Sequence, residues 1–219
     1  MFDERKKCLR IVDCAQNSPE WYAVRLGKVT ASKLSDVMAG GAGKMRDGYK
    51  LQLVLERATG NRKEGFTSKA MKDGIEREPD AAARYSFTTG IDLAEVGFVL
   101  HPTLDFSGAS PDRLAGADGV VQFKCPEAAT HYAYLKGATL PTAYVQQMQW
   151  EMACTKSAWC DFVSFHPDFP ISKRLHIRRI KRDPVYIVKA EAAVREFLAE
   201  VEAELAELMA DEVREEVAA

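Results

Sequence analysis

The sequence lacks the features of a membrane-bound or secreted protein. It contains no run of 18 apolar residues, and its charged first residues lead into no long apolar segment. We therefore expect neither a membrane span nor a secretory signal. Cysteines are few, odd in number and without a Cys-x-x-Cys pair: Cys8, Cys14, Cys125, Cys154 and Cys160. This usage predicts reduced cytoplasmic thiols rather than disulfides or a zinc site, and the four histidines show no metal-ligand spacing.

A large net charge is also absent, because 30 basic and 32 acidic residues leave only −2. The distribution is uneven: residues 183–219 have a net charge of −8 and residues 1–182 have +6. A basic body indicates a nucleic-acid partner. In residues 183–219, apolar side chains recur at helical intervals after Asp183-Pro184. This segment is predicted to be an acidic, amphipathic C-terminal helix.

The most informative segment begins with Ser110-Pro111-Asp112 and ends with Gln122-Phe123-Lys124. Between them, Asp118-Gly119 favours a tight turn, because aspartate and glycine tolerate positive φ angles. The spacing predicts a β-hairpin, in which side chains two residues apart share one face. Gln122 and Lys124 would then point the same way, with Asp112 opposite them on the preceding strand.

Two oxygen ligands and one ammonium group at a single point suit phosphodiester hydrolysis. Mg²⁺ held by carboxylate and carbonyl oxygens activates water and neutralises the charge that develops on the phosphate. A nearby cation lowers the pKa of a lysine, so Lys124 could position or deprotonate the water. The alternative is a surface hairpin with ordinary polar side chains, because such short motifs recur by chance.

Two predicted helices carry further candidates. Glu78 lies in an alanine-rich helical segment and could supply another carboxylate, the alternative being one surface glutamate among many. In a later helix, Tyr144, Gln147 and Glu151 fall on one face. A polar stripe of this kind usually faces solvent.

The motifs occur in a fixed order within residues 18–182. They are Trp21-Tyr22-x-x-Arg25-Leu26-Gly27-x-x-Thr30-Ala31-Ser32, Gly74-x-x-x-Glu78 with Phe87-Thr88-Thr89-Gly90, Ser110-Pro111-Asp112, Lys124-Cys125-Pro126, and Tyr144-x-x-Gln147-x-Gln149. Together they resemble the lambda-exonuclease-type (YqaJ-like) phage recombination nucleases of the PD-(D/E)xK superfamily. Each motif is weak alone, but five in order are specific.

The resemblance implies a role for each matched residue. At the metal site these are Asp112, Glu78 and Gln122 at positions of metal carboxylates, Phe123 through its backbone carbonyl, Lys124 acting on the attacking water, and Gln147 lining the site. Arg25, Ser32 and Ser110 match a pocket for the 5′-phosphate of the DNA end, which suits guanidinium and hydroxyl groups. Met71 matches an apolar wedge that parts the end base pair.

The resemblance also implies an activity and its partners. Such enzymes degrade linear double-stranded DNA from the 5′ end with Mg²⁺, for which Mn²⁺ substitutes, and two ions per site are expected. They release mononucleotides and leave a 3′ single strand. A homotrimeric ring would enclose the DNA, and a single-strand-annealing protein would be the partner in phage-type recombination. The implied location is the cytoplasm of a bacterial host that carries the phage or prophage.

Two departures from the family pattern affect these expectations. A second phosphate-pocket arginine would fall at Thr130, next to His131, and a protonated His131 could replace it. Gln122 lacks the charge of the family's carboxylate, which predicts a loss of roughly 10–100-fold or more in metal affinity or activity. The substitution could be engineered or natural. Two other functions remain open: a non-catalytic DNA-end-binding protein, and an endonuclease that would also cut closed circular DNA.

The expected fold is α/β, with a restriction-endonuclease-like core in which helices flank a central mixed β-sheet. With 219 residues and 47% hydrophobic content, the chain is expected to form one nuclease domain over residues 1–219. Expected strands are 95–100, the hairpin 105–125, 158–166 and 174–181. Expected helices are 18–24, 30–39, 49–59, 67–87, 142–155 and 184–216.

Overall fold

Helices and short strands alternate along the chain in a computed structural model, which describes residues 2–39, 43–62 and 69–218. The side chains of residues 69–71 and 211–218 lie outside this description. The helices are α1 (Phe2–Lys7), α2 (Pro19–Arg25), α3 (Leu34–Met38), α4 (Lys44–Thr59), α5 (Lys69–Thr89), α6 (Ala128–Leu135), α7 (Thr142–Thr155) and α8 (Pro184–Ala218). The strands are β1 (Arg10–Val12), β2 (Val29–Thr30), β3 (Leu93–Ala94), β4 (Phe98–Leu100), β5 (Ser107–Ala109), β6 (Arg113–Ala115), β7 (Gly119–Lys124), β8 (Trp159–Phe165) and β9 (Leu175–Lys181).

The larger sheet has the strand order β3-β6-β7-β8-β9. Strands β6 and β7 form the predicted antiparallel hairpin, with Arg113 opposite Val121. Strand β7 pairs in parallel with β8, and β8 pairs antiparallel with β9. The sheet is therefore mixed, and its central strand β7 is buried along its length except at Lys124.

A smaller sheet has the order β1-β4-β5-β2 and contains one parallel pair, β2 with β5. The first half of the hairpin expected over residues 105–125 is divided, since β5 belongs to this sheet and β6 to the larger one. The chain crosses between the sheets at Ser110-Pro111-Asp112. Because proline cannot donate a ladder hydrogen bond, Pro111 suits this crossing. The crossing places Asp112 at the start of the hairpin.

Helix α7 is the most deeply buried of the described helices, because every residue from Met148 to Thr155 is inaccessible to solvent or nearly so. Trp150 anchors the helix to the smaller sheet by donating its indole N–H to Ser107 Oγ at 3.1 Å. The residues of α7 were expected to form a helix with a solvent-facing polar stripe. The helix is confirmed, but Glu151 lies inside the protein.

Helix α8 packs its apolar face against the same core as α7 and against α4. Val194 and Phe197 are fully buried, and the Phe197 ring stacks on Tyr49 of α4. Its acidic face pairs with α4, where Glu200 accepts from Arg46 at 2.8 Å. The acidic C-terminal helix expected from the sequence is therefore an extended packing element.

The expected α/β fold with a mixed sheet, flanking helices and a long C-terminal helix is confirmed. The sequence did not indicate α1, α6 or the strands β1, β2 and β3. Each of these strands is two or three residues long, which is too short for a periodic pattern to be recognised. In the part of the chain that the structure describes, no helix is long and apolar enough to cross a membrane.

Candidate active site

Asp112 is held over strand β7 by two hydrogen bonds to the same carboxylate oxygen. Its Oδ2 accepts the backbone N–H of Phe123 at 2.6 Å and the side-chain amide of Gln122 at 2.7 Å. The hairpin register creates this contact, because Arg113 pairs with Val121 and the preceding residue therefore meets residue 122. Asp112, Gln122 and the backbone of Phe123 are thus brought together as the motif predicted.

A line of hydrogen bonds continues from Gln122 into helix α7. Gln122 Oε1 accepts from Gln147 Nε2 at 2.7 Å, and the same nitrogen donates to Glu151 Oε1 at 2.8 Å. The order from hairpin to helix is therefore Asp112, Gln122, Gln147 and Glu151. Gln147, expected to line the site, fixes the orientation of the Gln122 amide.

Glu151 is the residue that sequence reasoning did not assign to the site. Its side chain is 0% exposed, and Oε2 has no hydrogen-bond partner among the described residues. A usable signal was present, since Glu151 is the single charged residue in α7. A lone charge in an otherwise uncharged helix indicates a buried helix with a specific need for that charge.

Neighbouring carboxyl groups affect the pKa values of Asp112 and Glu151. Burial, followed by the charge of Glu78, raises the pKa of Asp112 to about 7, against the opposing effect of Lys124. Burial and then the charge of Asp112 raise the pKa of Glu151 to about 8. Both carboxyls therefore resist ionisation until a positive charge is placed between or beside them.

Glu78 approaches the hairpin from helix α5. Its carboxylate accepts from Arg113 at 2.8 Å, and Arg113 also lies 3.3 Å from Glu95. Arg113 follows Asp112 directly, so this ion pair brings Glu78 to the same end of the hairpin. A cleft of about 480 Å³ opens here, lined by Glu78, Arg113 and Gln16 among others.

Lys124 ends strand β7 on the side-chain face that it shares with Gln122. Its ammonium group lies 5.0 Å from the centre of the Tyr144 ring, which is a cation–π distance. Among the described residues, no carboxylate forms a salt bridge with Lys124. The ammonium group is therefore available to a water molecule or a phosphate.

The donor atoms at the site fit a hard divalent cation. The carboxylates of Asp112 and Glu151, the Gln122 amide carbonyl and the Phe123 carbonyl are all oxygens, which Mg²⁺ prefers. The unpartnered Glu151 Oε2 leaves an acceptor open, and burial together with the charge of Glu78 raises the pKa of Asp112, so a bound cation would favour the ionised form of both carboxyls. Within the described residues, no three His, Cys, Asp or Glu side chains already converge as a complete ligand set.

A second group of residues surrounds Ser110, two residues before Asp112. Ser110 Oγ accepts from Trp21 Nε1 at 2.8 Å and from Arg25 at 3.1 Å. The Arg25 guanidinium stacks on the Trp21 ring at 3.9 Å. Burial lowers the pKa of Arg25 to about 10, and the charge of Arg62 contributes to that shift. Two guanidinium groups thus influence each other here, and Arg62 had not been identified from the sequence.

The other residues expected at a phosphate pocket have different positions. Ser32 is exposed and lies 3.4 Å from Thr30 Oγ1, beyond the end of β2. His131 is fully buried, with Nδ1 2.7 Å from Ser164 Oγ and Nε2 2.8 Å from the Lys173 carbonyl. Both ring nitrogens are thus engaged inside the protein and burial lowers the pKa of His131, so this position does not support the expected contact of a protonated His131 with the phosphate. The side chain of Met71, expected as a wedge, lies outside the described residues.

Part of the chain matches a known protein family, and solved structures share its fold. Residues 20–158 match the model of the YqaJ-like viral recombinase domain. An alkaline exonuclease, LHK-Exo, from Laribacter hongkongensis is 41% identical, with a TM-score of 0.84 over 90% of this chain and 99% of that one. The structure of LHK-Exo in complex with dAMP is 42% identical over the same shares of both chains, also with a TM-score of 0.84.

A phage-related exonuclease from Haemophilus somnus 129PT shares the fold at 15% identity, with a TM-score of 0.61 over 84% of this chain and 96% of that one. A comparison with curated protein sequences found no match. The family model covers more than half of the chain, and the LHK-Exo structures extend the likeness to 90% of it. This chain therefore belongs to the YqaJ-like viral recombinase domain family.

Proposed function

We propose that this protein is a Mg²⁺-dependent exonuclease that digests linear double-stranded DNA from the 5′ end. It releases mononucleotides and leaves a 3′ single strand for phage-type recombination. The observation that carries the proposal is the hairpin on which Asp112, Gln122 and Phe123 converge beside Lys124, adjacent to the Arg25–Ser110 pair. Membership of the family and likeness to an alkaline exonuclease support it.

Each side chain of the site has a separate role in the proposed reaction. Asp112 and the Phe123 carbonyl would hold the cation, which activates water and stabilises charge on the phosphate when it is bound. Gln122, whose Oε1 faces Gln147 and whose Nε2 faces Asp112, would support the Asp112 side of the site by hydrogen bonding. Lys124 orients or deprotonates the attacking water. Gln147 keeps the Gln122 amide in place through its 2.7 Å hydrogen bond. Glu78 adds a carboxylate from the α5 side.

Recognition of the DNA end is assigned to the group around Ser110. The Arg25 guanidinium and the Ser110 hydroxyl would bind the 5′-phosphate, with Ser32 at the rim, because a forked guanidinium suits a terminal phosphate. Stacking on Trp21 keeps Arg25 in position, and no carboxylate of the described residues forms a salt bridge with it. The 5′-phosphate would then lie next to Asp112, as directional digestion from that end requires.

Gln122 is proposed to lower the activity of this chain. Its amide nitrogen donates to Asp112 at 2.7 Å and adds no negative charge. Gln122→Glu is expected to raise Mg²⁺-dependent digestion of 5′-phosphorylated linear duplex by roughly 10–100-fold. Lys124→Ala in the same background should abolish digestion. No increase with Gln122→Glu would refute the impairment, and absence of digestion by both proteins would refute the exonuclease.

The same hydrogen bond favours a second candidate, a DNA-end-binding protein without catalysis. By donating a hydrogen bond to Asp112 Oδ2, the Gln122 amide stabilises the site without a cation. This candidate predicts salt-dependent binding of duplex ends and no turnover even after Gln122→Glu. The DNA digestion assay therefore separates the two functions.

The assembly and context belong to the same proposal. A single domain over residues 1–219, two Mg²⁺ ions per site, a homotrimeric ring around DNA and a single-strand-annealing partner are what membership of the family favours. The cytoplasm of a bacterial host is the corresponding location. Sedimentation analysis tests the ring directly, since a trimer has three times the chain mass of 24.3 kDa.

A further inference from the structure

Glu151 is a buried carboxylate with half of its hydrogen-bonding capacity unused. Its side chain is 0% exposed, Oε1 accepts from Gln147, and Oε2 has no partner in the described part of the chain. No described lysine, arginine or histidine forms a salt bridge with Glu151. Burying an unpaired carboxylate costs several kcal/mol, so a purely structural role does not explain the residue.

Glu56 provides a matched comparison within the same protein. It is a nearly buried glutamate, at 5% exposure, and it accepts from the amide of Gln52 four residues earlier, at 2.7 Å. Its second oxygen accepts the backbone N–H of Gly27 at 2.9 Å. A structural glutamate in this fold thus has both oxygens paired. Glu151 has the same helical arrangement with Gln147 but leaves its second oxygen open.

A single side chain, that of Gln147, links Glu151 to Gln122, the uncharged position of the site. Gln147 Nε2 donates to both Gln122 Oε1 and Glu151 Oε1, at 2.7 and 2.8 Å. The two acceptor oxygens are therefore separated by no more than the sum of these distances. Gln122 itself contacts Asp112. The position that lacks a charge is thus flanked by a carboxylate on each side.

We propose that Glu151 supplies the second negative charge of the cation site and offsets part of the charge that position 122 lacks. Asp112 contributes one charge from the hairpin and Glu151 the other from helix α7. Gln122 and Gln147 hold the two together as neutral hydrogen-bonding groups. This inference rests on the proposed metal-dependent function and adds a residue from another element to its site.

Calorimetric titration of the full chain with Mn²⁺, without DNA, measures the contribution of Glu151. Glu151→Gln keeps the size of the side chain and its acceptor for Gln147 but removes the charge, so the Mn²⁺ affinity should fall at least tenfold. Glu56→Gln, the matched control, should bind as the parent protein does. Gln122→Glu with Glu151→Gln, which moves the charge back to the hairpin, should restore the parent affinity to within about threefold.

The outcomes separate this inference from the proposed function. Parent-like Mn²⁺ affinity of Glu151→Gln, in a protein that binds Mn²⁺ and digests DNA, overturns the role of Glu151 alone. An equal loss in Glu56→Gln overturns it as well, because the effect would then belong to any buried glutamate. No Mn²⁺ binding by the parent or by Gln122→Glu overturns both the inference and the metal-dependent function. Thermal unfolding of each variant confirms that the compared proteins are folded.

Discussion

Replacing Glu151 by glutamine should change how the stability of the metal-free protein depends on pH. The pKa of the buried carboxyl is about 8, compared with 4.5 for an unperturbed glutamate. Between these values the unfolded chain is ionised while the folded protein keeps its proton. Folding then takes up a proton, so the free energy of unfolding falls as the pH rises. Glutamine at position 151 does not titrate and removes this dependence.

The magnitude follows from the two pKa values. One pKa unit corresponds to about 1.4 kcal/mol, so the carboxyl costs about 4 kcal/mol at pH 8 and about 1 kcal/mol at pH 5. The variant should therefore gain about 3 kcal/mol relative to the parent between pH 5 and pH 8. This difference excludes contributions that do not depend on pH, including the unpaired amide nitrogen that the variant buries. It is an upper limit, because relaxation and entry of water reduce the cost.

Urea unfolding of both proteins at pH 5 and pH 8, in the presence of a chelator, measures this difference. The unfolding midpoints should diverge at pH 8 while the slopes with urea stay equal. Added Mg²⁺ should stabilise the parent more than the variant at pH 8, because a ligand stabilises the state that binds it. A stability difference that is the same at both pH values would refute the assignment of a buried, proton-binding carboxyl to Glu151.

Two further predictions concern the DNA end and the sheet. Arg25→Lys loses the forked contact to a phosphate, so the ratio of digestion rates on 5′-phosphorylated and 5′-hydroxyl duplex should fall about tenfold; an unchanged ratio would contradict the assigned pocket. Gly108→Ala places a methyl group 2.6 Å from the Val99 carbonyl and should lower the free energy of unfolding by about 2 kcal/mol or more. Gly48→Ala, with open space around it in α4, is the control and should be stabilising by about 0.5–1 kcal/mol. Equal stability of the two alanine variants in urea unfolding would refute the close β4–β5 approach.

The hairpin could be predicted from the sequence because its signals are local. The Gly116–Gly119 cluster marks the turn, although the residue with a positive φ is Gly116 and Gly119 already belongs to β7. Two-residue alternation places Gln122 and Lys124 on one face. The presence of helix α7 could also be predicted from its sequence pattern. The direction in which its polar face points was not, because α7 is covered on several sides by elements distant in sequence. Periodicity identifies a face but does not show whether solvent or another polar group lies against it.

His131, in contrast to the hairpin, has contacts that its local sequence did not predict. Its sequence position, next to Thr130, favoured a phosphate contact, but the partners of its ring come from residues 33 and 42 positions away along the chain. Such pairing depends on how β8 and the segment before β9 pack against α6. Arg62 was missed for a similar reason, since its influence on Arg25 arises only when distant segments meet. Long-range polar pairing is thus the part of the site that motif spacing cannot supply.

The arrangement of β7 and α7 explains how one site could place its second charge on either element. Position 122 on β7 and positions 147 and 151 on α7 meet through a single amide nitrogen. Position 122 is 4% exposed and position 151 is 0% exposed, so a carboxylate is buried on either element, and the carboxylate on the helix has one oxygen without a partner among the described residues. Because that oxygen is unpaired, negative charge on the helix is costly without a cation. Moving the charge to α7 should make folding depend more strongly on metal, a property that the paired Glu151→Gln and Gln122→Glu changes would reverse.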